Sequence, residues 1–179
     1  PETGRQVWQV TSGSRPGVAC YFEGQAFTSD EKYVVFSSIR SGEWALYRTD
    51  LSTGRVTRIT PEKRKIHEDD YTMMPDGKRV CYMDGWKFYA TGVENREEEV
   101  LFDYTGLLPS PPRFTGSFTN DGRYTLVYVA EDTVKSIYRT DLRKGEILEV
   151  HRHGEGRFSH PLINPEDPDV ITYVPGPDT

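Results

Sequence analysis

At 179 residues the chain can form one ordinary domain or a large part of a bigger one. Its net charge of −6 at pH 7 argues against nucleic acid as a partner, so an anionic ligand would need a local basic cluster or a metal to hold it. No apolar run approaches the roughly 18–20 residues of a membrane span, so no membrane partner is expected, and 11 Tyr, 16 Gly and 12 Pro favour short strands joined by punctuated turns over helices.

The chain begins at Pro1 without a basic or an apolar leader segment. No signal peptide is visible, and the expected compartment is the cytoplasm, with the periplasm as the alternative. Gly4-Arg5-Gln6-Val7-Trp8-Gln9-Val10-Thr11 matches the later Gly54-Arg55-Val56-Thr57-Arg58-Ile59-Thr60, so residues 1–16 read as an outer strand without a sheet of its own. A unit over 17–60 follows. It has a turn at Phe27-Thr28-Ser29-Asp30, a strand at Tyr33-Val34-Val35-Phe36, a strand at Tyr47-Arg48-Thr49-Asp50-Leu51 ending near Gly54, and a last strand from Val56 to Thr60.

The next unit, 61–103, repeats this order with Met73-Met74-Pro75-Asp76, Arg79-Val80-Cys81-Tyr82 and the degenerate Tyr89-Ala90-Thr91-Gly92-Val93. The third, 104–152, has Phe118-Thr119-Asn120-Asp121, Tyr124-Thr125-Leu126-Val127-Tyr128 and Tyr138-Arg139-Thr140-Asp141-Leu142 before Gly145. The fourth, 153–179, carries only the first half, Ile163-Asn164-Pro165-Glu166 and Val170-Ile171-Thr172-Tyr173. Asp30, Asp76, Asp121 and Glu166 are thus 46, 45 and 45 residues apart. Four short strands in a period of about 45 residues predict an all-β fold, a β-propeller with three full blades, one partial blade and an orphan strand. The acids at these turns read as turn-makers rather than catalytic carboxylates.

Unfinished sheets leave strand edges open to pairing, with the rest of a propeller or with another copy of the chain; a self-contained four-bladed stack is the alternative. Cys20 and Cys81 sit in no C-x-x-C motif and read as free buried thiols.

The blades resemble the PD40/TolB-like propeller repeats. A narrower resemblance, to oligogalacturonate lyases, rests on the opening Gly4 to Thr11, on Tyr21-Phe22 and Phe27-Thr28, on Ser159-His160-Pro161-Leu162-Ile163-Asn164-Pro165, which is similar to a Gly-His-Pro-x-x-x-Pro stretch, and on Thr172 to Asp178, similar to a Cys-His-Glu-Gly-Pro-His stretch. The resemblance implies the first half of a seven-bladed propeller that cleaves acidic pectin oligosaccharides by β-elimination. It also implies manganese or another divalent metal, with most ligands beyond residue 179. Two departures stand out: Val18-Ala19-Cys20 replaces a histidine pair, and Val174-Pro175 replaces His-Glu.

In a propeller the loops entering each inner strand, and those joining the second and third strands, rim one face. Here these are 61–70, 104–115 and 152–160, with 37–43, 84–86 and 130–134. They carry Arg40, His67, Glu68, Asp69, Asp70, Arg113, Arg157 and His160. β-Elimination needs a base for the proton α to a carboxylate and a cation to neutralise that carboxylate. His160 is the candidate base or metal ligand, because the other units carry Gly24, Asp70 and Thr115 at its place and a scaffold role would be expected to repeat. Arg113 and Arg157 are candidate carboxylate clamps, and Arg40 and His67 further substrate contacts. His67 with Glu68-Asp69-Asp70, or His151 with His153, has the composition of a metal site, although a solvated surface is the commoner fate of either. Trp44 and Trp86 suit sugar stacking or, more commonly, core packing. No G-x-S-x-G elbow, P-loop or G-x-G-x-x-G is present. Two functions remain: a lyase acting on acidic oligosaccharide, and a non-catalytic PD40/TolB-like interaction or substrate-gating module.

Overall fold

The structure, a computed structural model, describes residues 4, 9–11, 15–20, 24–131, 134–154 and 158–176. The expected orphan strand lies largely outside them; within them, Thr49 Oγ1 donates a 3.0 Å hydrogen bond to the carbonyl of Val10.

The fold is all-β, as the repeat predicts, with fourteen strands and no helix among the described residues. Blade 1 comprises β1 (Gly17–Val18), β2 (Tyr33–Ser38), β3 (Ala45–Asp50) and β4 (Val56–Arg58). Blade 2 comprises β5 (Tyr71–Met73), β6 (Arg79–Asp84), β7 (Lys87–Gly92) and β8 (Glu98–Asp103). Blade 3 comprises β9 (Arg113–Phe118), β10 (Tyr124–Glu131), β11 (Val134–Asp141) and β12 (Glu146–His153). A two-stranded sheet follows, β13 (Phe158–Ile163) and β14 (Ile171–Pro175). Each sheet is an antiparallel meander in chain order, so β1, β5, β9 and β13 are its innermost strands.

Every residue of β2 is buried, which requires cover on both faces of the sheet. The cover comes from the neighbouring blades, and the cores lie between sheets. Val35, Leu46, Tyr71, Met73, Val80 and Tyr82 fill the space between blades 1 and 2. Met74, Phe88, Phe102, Phe114, Phe118 and Val127 fill that between blades 2 and 3. Leu126, Ile137, Phe158 and Ile163 join blade 3 to the last sheet. Trp44 and Trp86 pack against the first two of these cores, the commoner of their two expected fates. Cys81 is buried and free, and Cys20 is free but only half-buried.

The repeated motifs have definite work. Asp30, Asp76 and Asp121 each accept the backbone N–H two residues on (Lys32, Lys78, Arg123) at 2.8–3.1 Å, closing the turn. In the fourth copy this role passes from the expected Glu166 to Asn164, whose Oδ1 accepts from Glu166 and Asp167. Asp50 and Asp141 cap the turn after the third strand, which ends on Gly54 or Gly145 with φ near +70°. The middle copy reaches the same turn differently. Asn95 supplies the acceptor, Arg96 takes the left-handed position at φ 63°, and Gly92 leaves the room that a Cβ would take from Asn95 Oδ1.

Neighbouring blades are also strapped together. Ser29 N donates to Gly77 O (3.0 Å), and Asn120 N to Pro165 O (2.8 Å). At the blade 2–3 seam the equivalent residue is Pro75, which has no N–H to give and packs against Gly122 instead. Arg48 reaches the carbonyls of Val93 and Glu94, and Arg139 reaches Pro168 O (2.8 Å) and Asp169. Their counterpart in blade 2 is Ala90, and that seam is held by its aromatic core and by a hydrogen bond between the Tyr104 and Thr140 hydroxyls (2.9 Å).

Candidate functional site

The innermost strands of blades 2 and 3 and of the last sheet converge on a cavity of about 300 Å³. Its charged and polar lining includes Asp69, Asp70, Arg113, Tyr128, Lys135 and His160. The local backbone explains how these side chains reach it. β9 and β13 are both bulged, with register shifts facing Thr125/Val127 and between Ser159 and Leu162. A bulge re-aims the side chains around it. In β9 the left-handed position falls on Gly116 (φ 81°), but in β13 it falls on His160 (φ 54°). An imidazole is thus held in a conformation that costs a residue with a Cβ roughly 1–2 kcal/mol.

Arg113, at the start of β9, crosses to the loop before β5. Its Nε and Nη2 donate to Asp70 Oδ2 and Oδ1 at 2.9 and 2.8 Å, a two-pronged pair spanning blades 2 and 3. The Asp70 side chain is only 15% exposed, so its charge needs this partner. His67 Nδ1 lies 2.6 Å from Asp69 Oδ1, and its ring is 3.4–3.5 Å from Arg113 Nη2. The ligand atoms of His67, Asp69 and Asp70 lie within 4.8 Å of one another, one imidazole and two carboxylates.

The loop that carries them is anchored at two points. Ser37 Oγ donates to the carbonyl of Glu68, and Arg64 is held by Glu98 and by Tyr89 OH (2.9 Å), its guanidinium 3.7 Å from the Tyr89 ring centroid. The hydrogen bonds from Arg64 hold the Glu98 carboxyl below its ordinary value. Tyr71, buried at the cavity wall, donates to Val18 O (2.9 Å) and accepts from Ser37 N (3.2 Å), and desolvation pushes its phenol up.

On the opposite wall Lys135 Nζ donates to the carbonyl of Phe158 (3.1 Å) and lies 5.3 and 5.9 Å from the ring centroids of Phe158 and Tyr128. Burial raises the Tyr128 phenol above its ordinary value, so at neutral pH it keeps its proton and can donate.

Of the residues singled out in the sequence, His160 and Arg113 line this cavity, and His67 stands beside it through Asp69 and Arg113. Arg40 does not line it. Its guanidinium lies 5.1 Å from the ring centroids of both Phe36 and Tyr47 in its own blade. Arg157 lies outside the described residues. His151 packs at a tilt against Tyr173 (ring centroids 4.8 Å apart) at the outer seam between blade 3 and the last sheet, 6.0 Å from the His153 ring. Lys135 and Tyr128 were not singled out. The rim segment 130–134 ends one residue before Lys135, and Tyr128 belongs to the Tyr124–Tyr128 run of a regular strand.

No family model matches the chain. A stretch of 56 residues, 31% of the chain, is 34% identical to the Tol-Pal system protein TolB of Francisella tularensis and covers 12% of that protein. Among solved structures, an oligogalacturonate lyase from Vibrio parahaemolyticus superposes with a TM-score of 0.76 at 17% identity, over 94% of this chain and 49% of its own. An oligogalacturonate lyase in complex with manganese gives 0.75 at 19% identity, over 92% and 48%. A TolB candidate from Agrobacterium tumefaciens gives 0.65 at 21% identity, over 87% and 53%. The chain therefore spans about half the length of the solved structures it resembles, and the resemblance read from its sequence holds at the level of fold.

Proposed function

We propose, from a chain whose fold is that of the oligogalacturonate-lyase-like and TolB-like β-propellers, that the protein is a lyase acting on acidic oligosaccharide and that the cavity is this chain's share of its site. One observation carries the reading. A histidine held in a strained left-handed bulge shares a cavity of about 300 Å³ with two cations, within the roughly 300–1,000 Å³ of small-molecule sites.

The chemistry suits those groups. The C–H bond α to the sugar carboxylate breaks, and its proton goes to a base. Its electron pair forms a double bond to the adjacent carbon, and the glycosidic oxygen leaves from that carbon and is protonated. An imidazole is suited to the first step near neutral pH. A cation beside the carboxylate makes the proton acidic enough to remove, and a protonated phenol such as Tyr128 is suited to the leaving oxygen.

His67, Asp69 and Asp70 offer a donor set that fits manganese or another hard divalent ion, and these three residues would hold it. When bound, such an ion supplies positive charge to a substrate carboxylate. The two hydrogen bonds from Arg113 already satisfy Asp70, so this chain organises the acidic wall with or without a cation.

The test is to incubate the full-length protein with manganese and digalacturonate and follow the ultraviolet absorbance of the unsaturated product. The reading expects a steady rise; a well-folded protein that gives none sinks it. The second reading is a non-catalytic propeller of the TolB type. It is favoured by the 56-residue match to TolB and by the commitment of Arg113 to Asp70, and it expects no product at any metal concentration.

A further inference from the structure

The cavity holds two cations, and they differ in one respect. Arg113 spends two of its N–H groups on Asp70. Lys135 spends one of the three donors of an ammonium on the carbonyl of Phe158. Among the described residues it makes no ion pair with any carboxylate. It is half-buried, and the rings of Tyr128 and Phe158 flank it. A charge drawn out of water without a counter-ion is costly unless something else supplies one. Low-dielectric walls around a cation also concentrate its field on whatever anion enters.

The geometry points to Lys135, not Arg113, as the residue that receives the carboxylate of the substrate, with the site built to take one carboxylate of a sugar acid at a time. This inference rests on the acidic-sugar reading above and assigns the specificity within it. The acidic wall supports the limit to a single charge. Without a divalent ion on it, this wall presents Asp69 and Asp70 to the same space, and only Asp70 is doubly bonded by Arg113, so a second carboxylate directed that way meets like charge. Tyr128, beside Lys135, adds a ring and a phenolic donor suited to a sugar face and its hydroxyls. The signal is invisible in the sequence because it depends on which cation in the folded cavity has already found a partner.

The experiment is calorimetric titration of full-length protein with galacturonate, with neutral galactose, and with acetate and inorganic phosphate as plain anions. Three proteins are compared: wild type, Lys135→Met, and the double variant Asp70→Asn/Arg113→Gln, which removes the ion pair of the acidic wall without changing net charge. Lys135→Met keeps the apolar stem against Tyr128 and Phe158; Lys135→Gln serves as the second variant should the first fail to fold. The expected result is about a ten- to hundredfold loss of galacturonate affinity in Lys135→Met. In metal-free buffer galactose affinity should be unchanged, and the double variant, which alters the acidic wall of the same site, should lose less galacturonate affinity than Lys135→Met. Wild-type binding should also weaken with added salt, and the Lys135 variants should lose that dependence.

If the double variant loses affinity and Lys135→Met does not, the assignment to Lys135 is overturned while the acidic-sugar reading stands. If acetate and phosphate bind through Lys135 but galacturonate does not, the sugar reading falls and Lys135 remains an anion site. If wild type binds none of the four, both are wrong.

Discussion

His160 is the residue that stands out earliest in the sequence, and the reason is local. It breaks a repeat that otherwise places Gly24, Asp70 and Thr115 at its position. The structure adds a left-handed backbone at the edge of a cavity, which no composition or spacing foretells. Replacing His160 separates the two properties. His160→Gly and His160→Ala should both abolish unsaturated product, but the glycine variant should be the more stable by about 1 kcal/mol, because glycine adopts positive φ without a Cβ clash. Chemical denaturation of the two variants checks this; an alanine variant of equal or greater stability would show that the bulge stores no strain. Arg113 was legible as a rim cation but not as half of a pair, since Asp70 lies 43 residues away and only blade packing joins them. Arg40 lies away from the cavity for the opposite reason. Its loop position suits a ligand contact, yet Phe36 and Tyr47 of its own sheet offer it two ring faces.

The elements were legible wherever the motif repeats, because the Asp turns and the Tyr-Arg-Thr-Asp strands encode turn closure directly in the sequence. The degenerate middle copy shows the limit of that code. Asn95 and Arg96 rebuild a turn that the Gly92 position gives no hint of, and only the hydrogen bonds show the equivalence. Asp141 is where this turn chemistry becomes measurable. It accepts three side-chain contacts from Arg123 and the backbone N–H groups of Arg143 and Lys144. The Arg123 hydrogen bonds come first in holding its carboxyl far below the ordinary carboxylate range. A carboxyl depressed in the folded state stabilises the fold above its unfolded value, near pH 4, and loses that contribution as pH falls toward the folded value. Asp141→Asn should therefore melt below wild type at neutral pH, with the gap narrowing as pH is lowered from about 4 toward 2. Thermal melts at stepped pH check this, and a gap that stays constant would show that the ion pair contributes nothing specific to the charged form.

At the scale of the molecule, the repeat announces a propeller, and its bulges and unlike seams decide where a site can form. β14 hydrogen-bonds to β13 on one side only among the described residues, and Val170 and Val174 are 43% and 54% exposed beside it. Such an edge is a template for another strand. The 179-residue polypeptide on its own should show a mass that grows with concentration in light scattering, and Val174→Lys should return it toward the monomer; a wild-type monomer at all concentrations would refute the edge as a contact. The three seams behave differently from one another. Hydrogen-bonded straps fix both distance and direction, whereas apolar contact fixes only closest approach. The seams on either side of blade 2–3 are strapped by Ser29, Arg48, Asn120 and Arg139, while its own turn carries Pro75 and its strand Ala90. At this seam the directional contacts are instead between side chains, Tyr104 with Thr140 in the core and Asp70 with Arg113 at the inner lip. A change in the girth of Phe88, Phe114 or Phe118 would therefore load those side-chain contacts, and with them the two-pronged Asp70–Arg113 geometry, without rewriting any turn.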